Sequence, residues 1–242
     1  MPKFIETTDN NMVKNTKKGY APDKVEAVEH ALGRTEQFIE DHQKKITIVV
    51  LAIVAIVGLY LAYQKWYLGP KQEEANAQMF VAQQYFEQDS FNLALKGDLN
   101  YPGFLTIIDD YSSTNAGNLA CYYAGISYLK LGQFQNAIDM LSKFKSEDKM
   151  LKTISLGSTG DAYLELNQDD KAAEYYVKAG NFTKNEFVGP VYLMRAGETY
   201  ERLKNYKSAL EQYHIIKDQY KNTPEGRVID KYIVRAEILM KK

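Results

Sequence analysis

Three glycines set the terms for this chain. Gly125, Gly160 and Gly197 stand 35 and 37 residues apart, and their neighbours recur with them. One block reads Ala124-Gly125, then Tyr128, Gly132, Phe134, Ala137 and Leu141. A second reads Thr159-Gly160, then Tyr163, Asn167, Asp169, Ala172, Tyr176 and Ala179. A third reads Ala196-Gly197, then Tyr200, Lys204, Tyr206, Ala209 and Tyr213. Each position has a physical role. A small residue on a first helix lets a second helix approach, and the tyrosine one turn on fills the space beside it. Gly132 and Asn167 suit the left-handed turn that ends a helix. Ala137, Ala172 and Ala209 sit where two helices cross, and a larger side chain would push them apart.

A degenerate block precedes these. Ala82, Tyr85, Phe91 and Ala94 fit a first helix and the start of a second. The loop-forming stretch Lys96–Gly103 then interrupts, and Phe104 to Tyr111 resumes the second helix. After the last block, Thr223 caps a helix with Pro224 at its first position. Val228, Ile229, Tyr232, Ile233, Ala236 and Leu239 follow at helical spacing. That helix covers the last apolar face, as a stack of repeats requires. The pattern resembles the tetratricopeptide repeat, in which helix pairs of about 34 residues stack into a superhelix. It departs at the family's tryptophan position, which holds Cys121, Leu156 and Leu193. The family's proline is absent from the first two blocks, and Pro224 represents it in the third.

A second feature decides where such a domain works. The eighteen residues Ile46–Tyr63 carry no charge and no proline. As a helix they span about 27 Å, close to the hydrocarbon thickness of a bilayer. A buried core helix would need apolar cover on all sides, which the rest of the chain does not supply. A cleaved signal peptide would have a 45-residue charged leader and a small-x-small cleavage site, and the run ends in Leu61-Ala62-Tyr63-Gln64. Lys44 and Lys45 close the N-terminal side. Tyr60, Tyr63, Tyr67 and the only tryptophan, Trp66, crowd the other. Arg34, Lys44 and Lys45 precede the span, against Lys65 and Lys71 after it, so the N-terminus is expected in the cytoplasm. The expected fold class is all-α: a single transmembrane helix, then a TPR-like helical-repeat superhelix with a C-terminal capping helix. The expected segments are a disordered cytoplasmic arm (1–21), a cytoplasmic amphipathic helix (22–45) with the stripe Val25, Val28, Leu32 and Ile39, the transmembrane helix (46–66) and an extracytoplasmic TPR-like domain (71–242).

Charge and cysteine content exclude several function classes. Residues 1–45 hold eight basic and eight acidic side chains, and residues 64–242 hold 22 and 23. Neither segment offers nucleic acid a basic surface. Lys14, Lys17 and Lys18 are too few for a polybasic lipid cluster. The one cysteine, Cys121, occupies a helix-core position and can form no internal disulfide. Of the three histidines, His30 and His42 lie on the other side of the span from His214, so no pair can share a metal. There is no nucleophile elbow and no glycine-rich phosphate loop. The adjacent pairs Asp109-Asp110 and Asp169-Asp170 are read as solvated or capping. Asn181-Phe182-Thr183 has the form of a glycosylation sequon. The chain is therefore expected to be no enzyme, with no catalytic residues, no metal, no cofactor and no small-molecule substrate.

Binding is what remains. A repeat stack lines a concave groove with its first helices. The repeat offsets place Tyr122, Ile126, Lys130, Asp161, Glu165, Met194, Glu198, Glu201 and Arg202 there. Repeat domains that clamp a terminal carboxylate use lysine, asparagine and arginine. The corresponding positions here hold Tyr122, Ile126, Gly157, Asp161, Met194 and Glu198, and the acids among them would repel a carboxylate. Within the span, Gly58 and Ala62 are four apart and offer a small-residue face for close helix packing.

The order of these parts, the run Asn118-Leu119-Ala120 with Tyr123-Ala124-Gly125, and the phrase Gly160-Asp161-Ala162-Tyr163 resemble the YfgM-type proteins of bacterial inner membranes. The resemblance covers roughly residues 22–242. It implies an ancillary subunit of the Sec translocon, its repeat domain in the periplasm, paired with a membrane-anchored periplasmic chaperone of the PpiD type. A rival expectation is an envelope signalling or regulatory adaptor that acts through the N-terminal arm, and a third is a scaffold in envelope assembly or secretion.

Overall fold

A computed structural model describes the backbone from Lys24 and the side chains from residue 42. The arm over 1–21 and the stripe Val25, Val28, Leu32 and Ile39 lie outside the described residues or side chains. The chain forms two compact units, Met1–Leu61 and Ala62–Lys242. The first contains most of helix α1 (Lys24–Tyr63). Residues 43 to 61 are all exposed, among them Ile48, Leu51, Ile56 and Leu59. Among the described residues this is the one stretch long and apolar enough to cross a membrane, and none of its apolar window is buried. Water would penalise such a surface and lipid would not.

The second unit opens on a π-helical turn (Gln64–Leu68) and α2 (Gly69–Glu87). Short helices α3 (Phe91–Lys96) and α4 (Phe104–Asp110) follow. Next come α5 (Asn115–Lys130) with α6 (Phe134–Lys143), α7 (Lys149–Glu165) with α8 (Asp169–Phe182), and α9 (Gly189–Arg202) with α10 (Tyr206–Gln219). Helix α11 (Pro224–Met240) closes the stack. Each helix packs on its sequence neighbours, and α5 meets α2 and α7 while α9 meets α11. This is the stacking of a TPR-like superhelix, and no strand occurs among the described residues.

The same turn is made four times. Ser90, Gln133, Gln168 and Asn205 each donate their backbone N–H to the carbonyl of Tyr85, Tyr128, Tyr163 or Tyr200, all at 2.9 Å. The residue just before each donor is left-handed: Asp89, Gly132, Asn167 and Lys204, with φ between 55° and 73°. The repeated tyrosine thus marks both a half-buried ring and the carbonyl that closes its helix. The degenerate first block shares this turn, so it is a true member of the series. Its second helix is broken between α3 and α4, where Asp98 accepts from the backbone N–H groups of Asn100 and Tyr101 and from the Tyr85 hydroxyl.

Small residues do what their spacing predicts. A Cβ on Gly125 would stand 2.6 Å from the Leu141 side chain, one on Gly160 2.7 Å from the Tyr176 ring, and one on Gly197 2.2 Å from the Tyr213 ring. Ala137, Ala172 and Ala209 are fully buried. Two corners between repeats share a device. Thr114 donates to the Tyr111 carbonyl and accepts from Gly117 N–H; Thr223 does the same between Tyr220 and Gly226. Along α11, Ile229, Ile233 and Ala236 are buried, whereas Val228 is 43% exposed and so leaves the face its spacing suggested.

Candidate functional site: a groove between repeats

The first helices α5, α7 and α9 lie side by side, and between them opens a cavity of about 540 Å³. Leu129 comes from α5 and Phe134 from α6. Asp161, Leu164 and Glu165 come from α7, Tyr176 from α8, and Arg195, Glu198, Thr199 and Arg202 from α9. The residues predicted for the groove divide between this cavity and other places. Asp161, Glu165, Glu198 and Arg202 line it together. Lys130 is exposed but does not line it. Tyr122 is half-buried against Tyr123 and Phe144, and Ile126 is half-buried on the same helix. Met194 is buried with Leu193, Tyr213 and Ile216. Glu201 turns to α10 and α11, where it accepts from the Tyr213 hydroxyl at 2.8 Å and from Arg235 at 3.0 Å. In the span, Gly58 has nothing within 4 Å of where a Cβ would stand, and Ala62 is half-buried.

Arg195, Leu129, Phe134, Leu164, Thr199 and Tyr176 are cavity residues that the repeat offsets did not assign to the groove. Arg195 donates to Asp161 across the repeat boundary, and its guanidinium lies 6.0 Å from the Tyr176 ring centre and 5.8 Å from that of Tyr192. The Tyr176 hydroxyl donates to the same Asp161 carboxylate at 2.6 Å. One carboxylate thus ties a first helix to its own second helix and to the next repeat. Glu201, Tyr213 and Arg235 repeat the arrangement one level on. Burial, reinforced by these carboxylates, pushes the Tyr176 and Tyr213 hydroxyls far above the usual tyrosine range, so both stay protonated donors. Arg202 donates from two nitrogens to Asp169, at 3.1 and 3.0 Å. Asp169 therefore bonds across the stack as well as opening α8.

The electrostatics follow from this pairing. Both arginines of the cavity are engaged by carboxylates. Glu165 and Glu198 are exposed and bonded to no other side chain among the described residues. The groove presents an apolar floor, fixed aromatic walls and unneutralised acid. It has no nucleophile–base pair, and no cluster of potential metal ligands occurs among the described residues.

The tetratricopeptide repeat family profile matches residues 120–148 and 192–223. No curated protein matches the chain in sequence. Among solved structures, it is similar to the crystal structure of the nearly identical TPR-like repeats of a putative kinesin light chain from Podosopora anserina. The TM-score is 0.51 at 14% identity, covering 69% of this chain and 87% of that one. The likeness is one of fold.

Proposed function

We propose that this chain is a non-enzymatic, membrane-anchored scaffold of the bacterial inner membrane: an ancillary subunit of the Sec translocon that pairs with a membrane-anchored periplasmic chaperone of the PpiD type. Tetratricopeptide repeats are protein–protein interaction scaffolds, and this chain carries them. The observation that carries the reading is their combination, in one chain, with a helix whose apolar length is wholly exposed. The resemblance to YfgM-type proteins supplies the partners. The charges flanking Ile46–Tyr63 favour a cytoplasmic N-terminus and a periplasmic repeat domain. On this reading 1–21 and 22–45 are cytoplasmic, 46–66 spans, and 71–242 binds.

Two contacts share the task. Gly58 and Ala62 let a partner's membrane helix approach closely, and the repeat surface holds the partner's soluble part. Tethering in one bilayer raises effective concentration, so each contact alone can be weak. Purification of the full-length chain from gently solubilised membranes tests this. Sec subunits and an anchored chaperone should co-purify, and the isolated domain 71–242 should retain the chaperone only weakly. Recovery of a response regulator or anti-sigma factor through residues 1–45 would replace this reading with a signalling adaptor.

A further inference from the structure

Helix α9 is tied to the α7–α8 hairpin at two rungs, and one pair of positions between them along α9 differs from both. An offset of 34 residues joins Asp161 to Arg195, and an offset of 33 joins Asp169 to Arg202. Glu165 lies one turn after Asp161 as the last residue of α7, and Asp169 follows it across the tight turn as the first residue of α8. The residue 33 positions beyond Glu165 is Glu198. The outer rungs are ion pairs and the middle rung is two carboxylates. Both are exposed, and both line the cavity floored by Leu129, Phe134 and Leu164. Two carboxylates lining one cavity make it attractive to a cation and unfavourable to an anion.

We propose that this groove docks a basic, apolar segment of a partner protein, seating one lysine or arginine side chain at the Glu165–Glu198 rung and a neighbouring apolar side chain on Leu129, Phe134 and Leu164. The proposal rests on the scaffold reading above and names the chemistry of its partner. Charge complementarity selects the occupant. The cavity's arginines are held by Asp161 and Asp169, so an acidic segment finds no available cation and meets two carboxylates. Arg195 is fixed by Asp161 and by the Tyr176 and Tyr192 rings, so the wall beside the rung is preorganised and little ordering is left to binding.

The test uses the full-length chain in lipid nanodiscs, with empty nanodiscs subtracted. The probe is a short fluorescent peptide of alternating leucine and lysine, beside a matched peptide with glutamate for lysine. The lysine peptide should bind and the glutamate peptide should not. E165Q/E198Q should weaken binding roughly tenfold or more, and raised salt should weaken it too. E198K should pair with Glu165, complete the third ion rung, leave the melting temperature unchanged or higher, and abolish binding. Equal binding by wild type and E165Q/E198Q, equal binding of the two peptides, or no binding by wild type overturns the proposal. Partner recovery separates this from the scaffold reading. A chaperone recovered equally by wild type and E198K removes the groove and leaves the scaffold standing. If neither recovers a partner, the scaffold reading fails while the peptide titration still judges the groove.

Discussion

A buried tyrosine hydroxyl makes this protein sensitive to alkali. Burial pushes the Tyr192 hydroxyl up to about 12, against about 10 in an unfolded chain. Tyr176 and Tyr213 go higher, first through burial and then through hydrogen bonds to Asp161 and Glu201. Between those values the folded state holds protons that the unfolded state has released. The stability these groups contribute is therefore intact below about pH 10 and is lost as pH rises from there towards about pH 12. Each tyrosine removes up to about 1.4 kcal/mol per pH unit within its window. Melting temperatures across this range should fall steeply in wild type and less steeply in Tyr192→Phe; an identical slope would mean that Tyr192 is not shielded from water. Lys204 carries a second residue-scale expectation. It holds φ at 58° without being glycine or asparagine, so Lys204→Gly should not destabilise the protein and can stabilise it by up to about 1 kcal/mol. A clear drop in denaturant midpoint would contradict the left-handed assignment.

Among the helices, stability rests on close approach between first and second members of each pair. Ala137 and Ala209 are fully buried at those crossings. Ala137→Trp and Ala209→Trp should each cost about 1–3 kcal/mol or more through overpacking. Unchanged melting in both would show the crossings to be looser than described. Helix α11 bears a different load. Its Ile229, Ile233 and Ala236 bury Tyr213 and Ile216 of the preceding helix and Tyr220 just beyond its end, and Thr223 accepts from Gly226 N–H to start it. Removing residues 224–242 leaves the last repeat with an uncovered apolar end. The truncated repeat unit should melt lower and bind more of a hydrophobic dye than the same unit with α11 in place. The cap alone is milder: Thr223→Ala should cost about 1 kcal/mol.

For the whole molecule, the span and the repeat unit make separate demands, and a test must reach both. With the N-terminus in the cytoplasm, protease added to spheroplasts should digest the repeat unit and spare a fragment of residues 1–45 with the span. Protection of the repeat unit would reverse the proposed orientation. The repeat unit is held by packing and ion pairs, since the buried Cys121 is the only cysteine and forms no disulfide. Burial also pushes the Cys121 thiol up. Thiol reagents should label it slowly in the native protein and fast in denaturant, and reducing agent should leave the melting temperature unchanged.

How much was readable beforehand depends on whether a property is local or crosses the stack. The crossing alanines and the glycines under Leu141, Tyr176 and Tyr213 each act within one helix pair, and the Thr223 cap within one turn of chain. They follow from steric limits on neighbouring turns, so composition at fixed spacing reveals them. The exposed apolar helix is likewise a matter of length and side-chain chemistry. Two of the four left-handed positions, Gly132 and Asn167, declare themselves. Asp89 and Lys204 do not, because only the surrounding packing holds such residues there. The groove is decided elsewhere. On α9, Met194 enters the core while its neighbour Arg195 faces the cavity. Adjacent residues on a helix point about 100° apart, so placing them depends on the rotation of one repeat against the next. The pairs Asp161–Arg195, Asp169–Arg202 and Glu201–Arg235 join residues 33 or 34 apart. The sequence holds both members of each pair, but only the superhelical stacking determines which carboxylates meet an arginine and which, like Glu165 and Glu198, are left to face solvent.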